Sequence, residues 1–496
     1  MTRRSAGADV VVVGSGAGGC VVARRLAEDS KRSVVLVEAG PDLRFAPPPD
    51  FADGWLLPKG FDWGLESEPD GDGGTQPIRR MRAVGGTSWL TRYALRGGRT
   101  EYDAWAAAGA DGWGYDDCLP VLRRIESDLE FGDRPEHGDA GPFPITRYPD
   151  LQPIAAHQAL IDAAVATGSP AVDDLNAEEA IGVGRFPMSS RDGRRVSAAS
   201  AYLGDSAPSN VDVRSDALVD AVTIEGDRAT GVRLADGSTI RAGTVVVCAG
   251  TLGSPLVLMR SGIGPADDLR RLGIGVRVDL PGVGANLADH AGTDVGLAYA
   301  GPTRAEPFLN SAVVLRSSAA ETGSRPDLLL WMSDPRKTED GPLLEISVIL
   351  MTAASRGSVS LRSSDPADPP RIRLPRLREA TDVERMIEGI RRADEIATHS
   401  ITRAAVAGGA PKRPLTQEEI RTIVRETLWS YPHIVGTCAM GRDPSDGAVV
   451  APDGRAFGTE GLYVADASVI PIPPSGFTHL PTIMLAERIA AGIAAS

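Results

Sequence analysis

The sequence predicts an α/β fold joined to an α+β one: a parallel sheet covered by helices, and a second domain built on an antiparallel sheet. Three observations carry that prediction. Val10-Val11-Val12-Val13 is a β-branched run suited to a strand buried on both faces, and it leads straight into Gly14-x-Gly16-x-x-Gly19 and an amphipathic stretch. Continuous apolar runs of the same kind return late in the chain at Val245-Val246-Val247 and Leu462-Tyr463-Val464. Residues 301–425 change to alternation, as in Ile346-Ser347-Val348-Ile349-Leu350 and Ser358-Val359-Ser360-Leu361, the pattern of strands with one buried face.

Taken in order, a strand over 9–13 is followed by the glycine turn and by a helix with Val21, Val22 and Leu26 on its apolar side and Arg24, Arg25 and Glu28 on its polar side. A second strand over 33–37 ends at Glu38 and closes a βαβ unit. From 41 to 77, Pro47-Pro48-Pro49 and the glycine cluster at 71–74 predict a surface excursion pinned down by Trp55 and Trp63. Gly85-Gly86-Thr87-Ser88 then precedes helices across 101–129, and 151–183 reads as helical. Val211-Asp212-Val213, Ala221-Val222-Thr223-Ile224 and 230–234 alternate like antiparallel strands. The run 244–250 returns to the buried parallel pattern, so the middle of the chain rejoins the first domain. A charged helix is predicted over 381–396, a last buried strand over 461–466 and a final helix over 482–493.

Composition excludes several functional classes. The 496 residues supply roughly three domains of ordinary size, or two large ones. Fifty-six glycines and 37 prolines make the chain turn-rich while leaving it below the low-complexity range. A net charge of −14 repels phosphate backbones and anionic lipid, so no nucleic-acid partner and no membrane insertion are expected. Cys20, Cys118, Cys248 and Cys438 have neither zinc-ligand nor disulfide-framework spacing; they read as buried thiols in a reducing compartment, with no metal site. Arg3-Arg4 ahead of an apolar run ending at Cys20 mimics an export signal, but the same residues make better sense as strand, turn and helix start. No apolar run approaches the ~18 residues of a membrane span. A cytoplasmic protein is the expectation.

The glycine turn carries chemistry. Because it follows a strand and opens a helix, backbone N–H groups of Gly14, Ser15, Gly16, Ala17, Gly18 and Gly19 and the positive helix end would face a pyrophosphate. Glu38, with Ala39 beside it, stands where an acid accepts hydrogen bonds from ribose hydroxyls and disfavours a 2′-phosphate. FAD or NAD fits, and NADP does not. The fingerprint alone does not choose between the first two.

Four further segments resemble the glucose-methanol-choline (GMC) family of FAD-dependent oxidoreductases. They are Arg80-x-Arg82-Ala83-Val84-Gly85-Gly86-Thr87-Ser88; Cys248-Ala249-Gly250-Thr251-Leu252-Gly253-Ser254-Pro255 through Ser261-Gly262-Ile263-Gly264-Pro265; Leu280-Pro281-Gly282-Val283-Gly284-Ala285-Asn286-Leu287-x-Asp289-His290; and His433-x-x-Gly436-Thr437-Cys438-x-Met440-Gly441 with Val464-Ala465-Asp466-Ala467-Ser468 and Pro481-Thr482-Ile483-Met484. The resemblance implies a glutathione-reductase-like Rossmann FAD domain assembled from 1–150, 191–300 and 426–496, with a substrate domain from the cap segment 151–190 and from 301–425. By the same match Arg82, Gly85, Gly86 and Ser88 approach the flavin, Val219 lies near the adenine, Ala249 and Gly250 border the cofactor, Asp466 and Ala467 bind toward the pyrophosphate and ribityl chain, and Pro481 and Thr482 meet the pyrimidine end of the ring. The first signature departs from the family: Thr91 replaces the common Asn, and Arg96-Gly97 arrives one residue early. The length and the Ser475-Gly476-Phe477-Thr478-His479-Leu480 loop are similar to bacterial members, including those tied to the peptide-derived cofactor mycofactocin.

Six histidines remain to be sorted. His137, His157 and His399 are read as structural or surface residues, and His290 as a structural hydrogen-bonding residue. His433 and His479 match the family's two catalytic positions. Oxidation of an alcohol needs loss of a hydroxyl proton while hydride leaves the same carbon for flavin N5, and a neutral imidazole can take that proton. The expectation is therefore His433 as base and His479 as the oxygen-orienting partner, the two roles being exchangeable. The function implied is FAD-dependent oxidation of a primary or secondary alcohol to a carbonyl. The alternative is a redox-silent lyase of cyanohydrin type on the same fold; an NAD-dependent dehydrogenase or a binding protein with a vestigial cofactor fold fits less well. The partners implied are a small alcohol and an electron acceptor, whether oxygen, a quinone, a carrier protein or another redox cofactor. Trp89, Trp429, Tyr431 and Phe477 flank the signatures and are candidates for a pocket suited to an aliphatic or aromatic alcohol rather than a sugar, with core packing as their other reading.

Overall fold

The computed structural model describes residues 7–48, 60–69, 74–204, 207–304, 308–320, 323–339, 341–406, 411 and 413–496. Arg3, Arg4, Pro49, Trp55 and residues 71–73 of the sequence reading lie outside them.

Five parallel strands lie in the order Val211–Arg214, Val34–Val37, Ala8–Val13, Thr239–Val247, Leu462–Val464. Val10 to Val13 are buried in the first core, which is why the run carries no polar alternation. Ala17–Leu26 packs along the final helix on one side. The early half of Thr239–Val247 pairs antiparallel with Arg228–Leu234, which pairs in turn with Val219–Glu225, as the alternation there predicts. Val211–Arg214 differs from its reading: it runs parallel to Val34–Val37. It is the sheet's outermost strand, and its alternating burial reflects one covered and one open face rather than antiparallel pairing.

The second sheet is antiparallel, in the order Trp429–Ser430, Ala291–Ala298, Gly341–Leu350, Leu328–Ser333, Asn310–Leu315, Gly182–Arg185. Side chains alternate between its faces. Leu328, Leu330, Ile346, Val348 and Leu350 pack against the helix Ala380–Thr398 through Met386, Ile390 and Ala393. Leu329, Trp331, Ile349 and Met351 face the opposite way, toward Phe186 and Phe477. Two strands of this sheet, 291–298 and 429–430, fall outside the segments that the sequence assigns to it; the first is rich in Gly and Ala, which blunts its alternation. The stretch 151–183 is helical only over Ala155–Ala166, and Ser358–Ser360 forms a separate ribbon with Arg371–Arg373. The final helix begins earlier than predicted, at His479, with Pro481 tolerated in its first turn where no intrahelical donor is needed. No helix among the described residues is long and apolar enough to cross a membrane.

A buried ionic cluster ties the two parts together. His137 meets Glu126 at 2.9 Å and Asp128 at 3.1 Å through Nδ1, and Asp174 at 2.8 Å through Nε2. Arg96 pairs with Glu126 at 2.8 Å, while Arg147 bridges Asp128 and Asp174 at 2.9 and 2.8 Å. Burial alone would discharge His137, yet hydrogen bonds to Asp128, Asp174 and Glu126 outweigh it and push the imidazolium up to about 10. Asp128 is held down to about 2, against the effect of its burial, by His137 and Arg147. His137→Gln is expected to destabilise the fold by about 3–5 kcal/mol, the usual cost of removing one partner of a buried ion pair. The folded pKa lies above the ordinary 6.5, so this contribution is complete below pH 6.5 and is lost as pH rises through 10. Thermal melts should therefore show the gap between wild type and variant closing from pH 6.5 to 10; a constant gap would remove His137 as the charged centre of the cluster.

Candidate active site

A cavity of about 890 Å³ runs from the carboxyl ends of the parallel strands to the inner face of the antiparallel sheet. Its floor is the turn after the first strand. Gly14 takes a φ of +87°, which only glycine adopts easily, and a side-chain carbon there would strike the Cys248 carbonyl. A side chain at Gly19 would overlap the Gly14 carbonyl, so that glycine lets the helix sit on the strand. Gly16 faces nothing within 4 Å, leaving backbone open to a ligand. Gly86 packs on the Gly16 backbone, and the Gly85 amide donates to the Ser15 carbonyl at 2.9 Å, docking the second glycine cluster on the first.

Glu38 lies at the strand end as predicted and is buried. Its Oε2 accepts from the Ser15 amide at 3.0 Å and hydroxyl at 2.7 Å, and its Oε1 from the Gly40 amide at 2.9 Å. Burial raises its carboxyl pKa, and these donors oppose the rise. Asp466 likewise accepts from the Gly250 amide at 2.8 Å and the Ser254 hydroxyl at 2.5 Å through Oδ2, and from the Ser468 amide at 2.8 Å through Oδ1. It joins the start of the helix Gly250–Arg260 to the last strand. Gly14, Gly16, Ala17, Gly18, Glu38, Ala39, Gly86, Ser88, Val219, Ala249, Gly250, Asp466, Ala467 and Thr482 all line the one cavity. An open glycine backbone and a helix amino terminus as donors, with an acid at the strand end as acceptor, are a set of groups that fits an FAD molecule.

Five predicted cofactor residues do not line it. Ser15 is buried behind the turn, bridging to Glu38, and Gly19 is a packing contact. Gly85 abuts the Trp89 indole, Arg82 directs its guanidinium toward the Trp63 ring at 5.9 Å, and Pro481 is buried in the final helix. Arg96 of the shortened signature points into the ionic cluster. Its backbone, with Leu95 and Gly97, forms the shelf on which Gly476 sits, and the Phe477 amide donates to the Leu95 carbonyl at 2.6 Å.

His433 is enclosed by protein and opens into the far end of the cavity. Its ring lies 4.2 Å from Tyr431, 4.7 Å from Phe477 and 5.1 Å from His290, centroid to centroid. Burial, His290 and the Arg80 guanidinium all hold it well below 6.5, so it is neutral. His433 and His479 both border the cavity, and the ring packed against His433 is that of Phe477. The His479 ring meets Phe143 edge-on at 5.4 Å and its Nε2 has no hydrogen-bond partner among the described residues. The last helix starts at residue 479, and Phe477 lies just ahead of it with its ring on His433.

His290, read as structural, is in direct contact with His433, Nδ1 to Nδ1 at 3.0 Å. The contact follows from strand pairing: Ala288 and Val435 exchange backbone hydrogen bonds at 3.0 and 2.9 Å, and the Tyr431 amide donates to the His290 carbonyl at 3.0 Å. Asp289 accepts from the backbone amides of both His290 and His433 and from the Ser430 hydroxyl; burial nevertheless raises it to about 6. Sequence reading also missed Arg80, whose Nη2 donates to the Pro432 carbonyl at 2.9 Å, and Tyr93 and Trp331, whose rings meet at 4.9 Å in the cavity wall. Arg80 stood in a quoted signature, while Trp331 carried only the alternation of its strand. Trp429, Tyr431 and Phe477 line the cavity as expected; Trp89 does not, its Nε1 donating to the Val84 carbonyl at 2.7 Å within the first core. His137, His157 and His399 lie away from the cavity, His157 facing Asp334 at 3.2 Å and His399 capping a short helix.

Family models described as GMC oxidoreductase match residues 8–292 and 353–486. An uncharacterised GMC-type oxidoreductase of Rhodococcus erythropolis is 33% identical over 504 residues, covering 98% of each chain. An oxygen-dependent choline dehydrogenase of Sinorhizobium fredii is 33% identical over 529 residues, 97% of this chain and 95% of that one. Among solved structures, pyridoxine 4-oxidase from Mesorbium loti superposes with a TM-score of 0.89 at 29% identity over 99% of each chain. Formate oxidase of Aspergillus oryzae superposes at 0.88, 25% identical over 98% of each. With sequence likeness along nearly its whole length and the cofactor cradle in place, this chain belongs to the GMC oxidoreductase family, FAD-dependent enzymes acting on CH–OH donors.

Proposed function

We propose that this enzyme oxidises a primary or secondary alcohol carried on an apolar, preferably aromatic, group to the carbonyl, with His433 as the base. The observation that carries the reading is the place of His433: a neutral imidazole among aromatic rings, in the same cavity that begins at Gly14–Gly18 and Glu38. Bound FAD supplies the two-electron acceptor. Gly14, Gly16, Ala17, Gly18, Glu38, Ala39, Gly86, Ser88, Val219, Ala249, Gly250, Asp466, Ala467 and Thr482 would hold it.

The work of the chain is then positional and electrostatic. Tyr93, Trp331, Trp429, Tyr431 and Phe477 present flat apolar surfaces that exclude water and favour a planar substrate. The hydroxyl of an alcohol seated against them loses its proton to His433 as the carbinol carbon gives up its hydrogen with both electrons. Arg80, close enough to depress His433, lowers the cost of negative charge developing on the oxygen. His479, which borders the same cavity and whose Nε2 has no hydrogen-bond partner among the described residues, is the group that would orient the substrate oxygen. The name of the pyridoxine 4-oxidase neighbour, an oxidase of an aromatic alcohol, is consistent with this substrate class.

Anaerobic mixing with benzylic or other aryl alcohols should bleach the flavin band, faster than glucose does; release of aldehyde from a cyanohydrin without bleaching would instead assign the lyase reaction. His433→Ala should slow reduction by about 10²-fold or more, the usual size of a lost general base, and His479→Ala by clearly less. Because His433 is depressed below 6.5, the reduction rate should stay level as pH falls from 8 through 6.5, with its acid limb lying lower; an acid limb at or above 6.5 would contradict the neutral-base reading. Glu38→Ala, which removes the acceptor for Ser15 and Gly40, should yield protein with less FAD per chain after gel filtration.

A further inference from the structure

We infer that His290 is a positioning residue that fixes His433 in one tautomer, with the hydrogen on Nδ1 and the bare lone pair on Nε2. The inference deepens the proposed function and rests on its reading of His433 as the base.

It follows from counting hydrogens along one chain of contacts. His290 Nε2 lies 3.0 Å from the Pro474 carbonyl oxygen, which can only accept, so that nitrogen carries a hydrogen. A neutral imidazole has one N–H, which leaves His290 Nδ1 as an acceptor. His290 Nδ1 lies 3.0 Å from His433 Nδ1, and the hydrogen in that contact must then come from His433. His433 Nε2 is left as the nitrogen free to take a proton. Both rings are neutral in this environment: burial lowers His290 to about 4, and Arg325 adds to the effect despite the Pro474 carbonyl, while His433 is lower than ordinary for the reasons given above.

The geometry is over-determined, which is what positioning requires. Asp289 clamps the backbone amides of both residues, and the strand pairing at Ala288 and Val435 fixes their separation. His290 is fully buried, so water does not compete for its Nδ1. When His433 accepts the substrate proton at Nε2, its Nδ1–H bond to His290 becomes charge-assisted and stronger, without a carboxylate that would hold the base charged beforehand. The Ser–His–Asp arrangement fixes its imidazole with an anion; here a neutral ring whose far nitrogen is tied to a backbone carbonyl does so.

The test has a readout independent of turnover. In holoenzyme labelled with ¹⁵N only at histidine, long-range ¹H–¹⁵N spectra near pH 7.5 distinguish the two tautomers of each ring. His433 and His290 are assigned by the signals lost in His433→Ala and His290→Leu. Wild type is expected to show Nδ1–H for His433 and Nε2–H for His290. His290→Leu should release His433 into the Nε2–H form and slow flavin reduction by about 10²-fold with KM changed little, as expected when a base holds its hydrogen on the wrong nitrogen. His290→Asn, whose amide oxygen can accept in place of Nδ1, should retain the Nδ1–H signal and most of the rate. Nε2–H on His433 in wild type, an unchanged His433 tautomer in His290→Leu, or an Asn variant no better than Leu in both readouts would each overturn the inference. If His290→Leu does not fold, the wild-type and Asn spectra decide. Wild-type reduction rates in His433→Ala would sink the base reading and leave the tautomer result standing, so the two failures are distinguishable.

Discussion

The strand Thr239–Val247 is the constraint on which the rest depends. It is bonded to Ala8–Val13 on one side and to Leu462–Val464 on the other, so it draws the beginning, middle and end of the chain into one parallel sheet. Parallel strands share a carboxyl edge, and loops leaving that edge share one crevice. Gly14, Gly250 and Asp466, far apart in sequence, meet there for that reason. Asp466 then locks the meeting by accepting from Gly250 and Ser254. The cavity is thus a product of strand register before any side chain is considered.

Three histidines show how environment assigns roles. His137 sits among Glu126, Asp128 and Asp174 and is pushed up to about 10, a structural cation. Among the described residues no carboxylate bonds the rings of His290 and His433, and burial drives both down, His290 to about 4, so they are hydrogen-bonding groups without charge. The two sites are connected mechanically. Arg96 belongs to the ionic cluster, and its backbone supports Gly476 and Phe477, the residue packed on His433. A charged network outside the cavity lining therefore backs the wall of the pocket.

Much of the cofactor cradle was legible because its signals are local. A glycine between a buried strand and a helix, and an acid at the end of the next strand, are decided by backbone geometry within a few dozen residues. Legibility failed where a signal depends on neighbours distant in sequence. Val211–Arg214 alternates like an antiparallel strand, yet it lies parallel at an edge. Trp89 flanks a signature and turned out to fill the first core, while Trp331 lies in no signature and lines the pocket. That Phe477 packs on the His433 ring, in the cavity that His479 also borders, is likewise set by tertiary structure.

By itself the sequence determined the α/β and antiparallel architecture, the glycine turns and the acid at Glu38, because each rests on periodicity or on a short motif whose geometry is local, while the candidacy of His433 came from resemblance to the GMC family. Tertiary structure alone decided which residues share the pocket and which imidazole partners the base. His290 and His433 are 143 residues apart. Their contact exists only because backbone pairing between Ala288 and Val435 sets two strands at hydrogen-bonding distance, a register that no local pattern encodes.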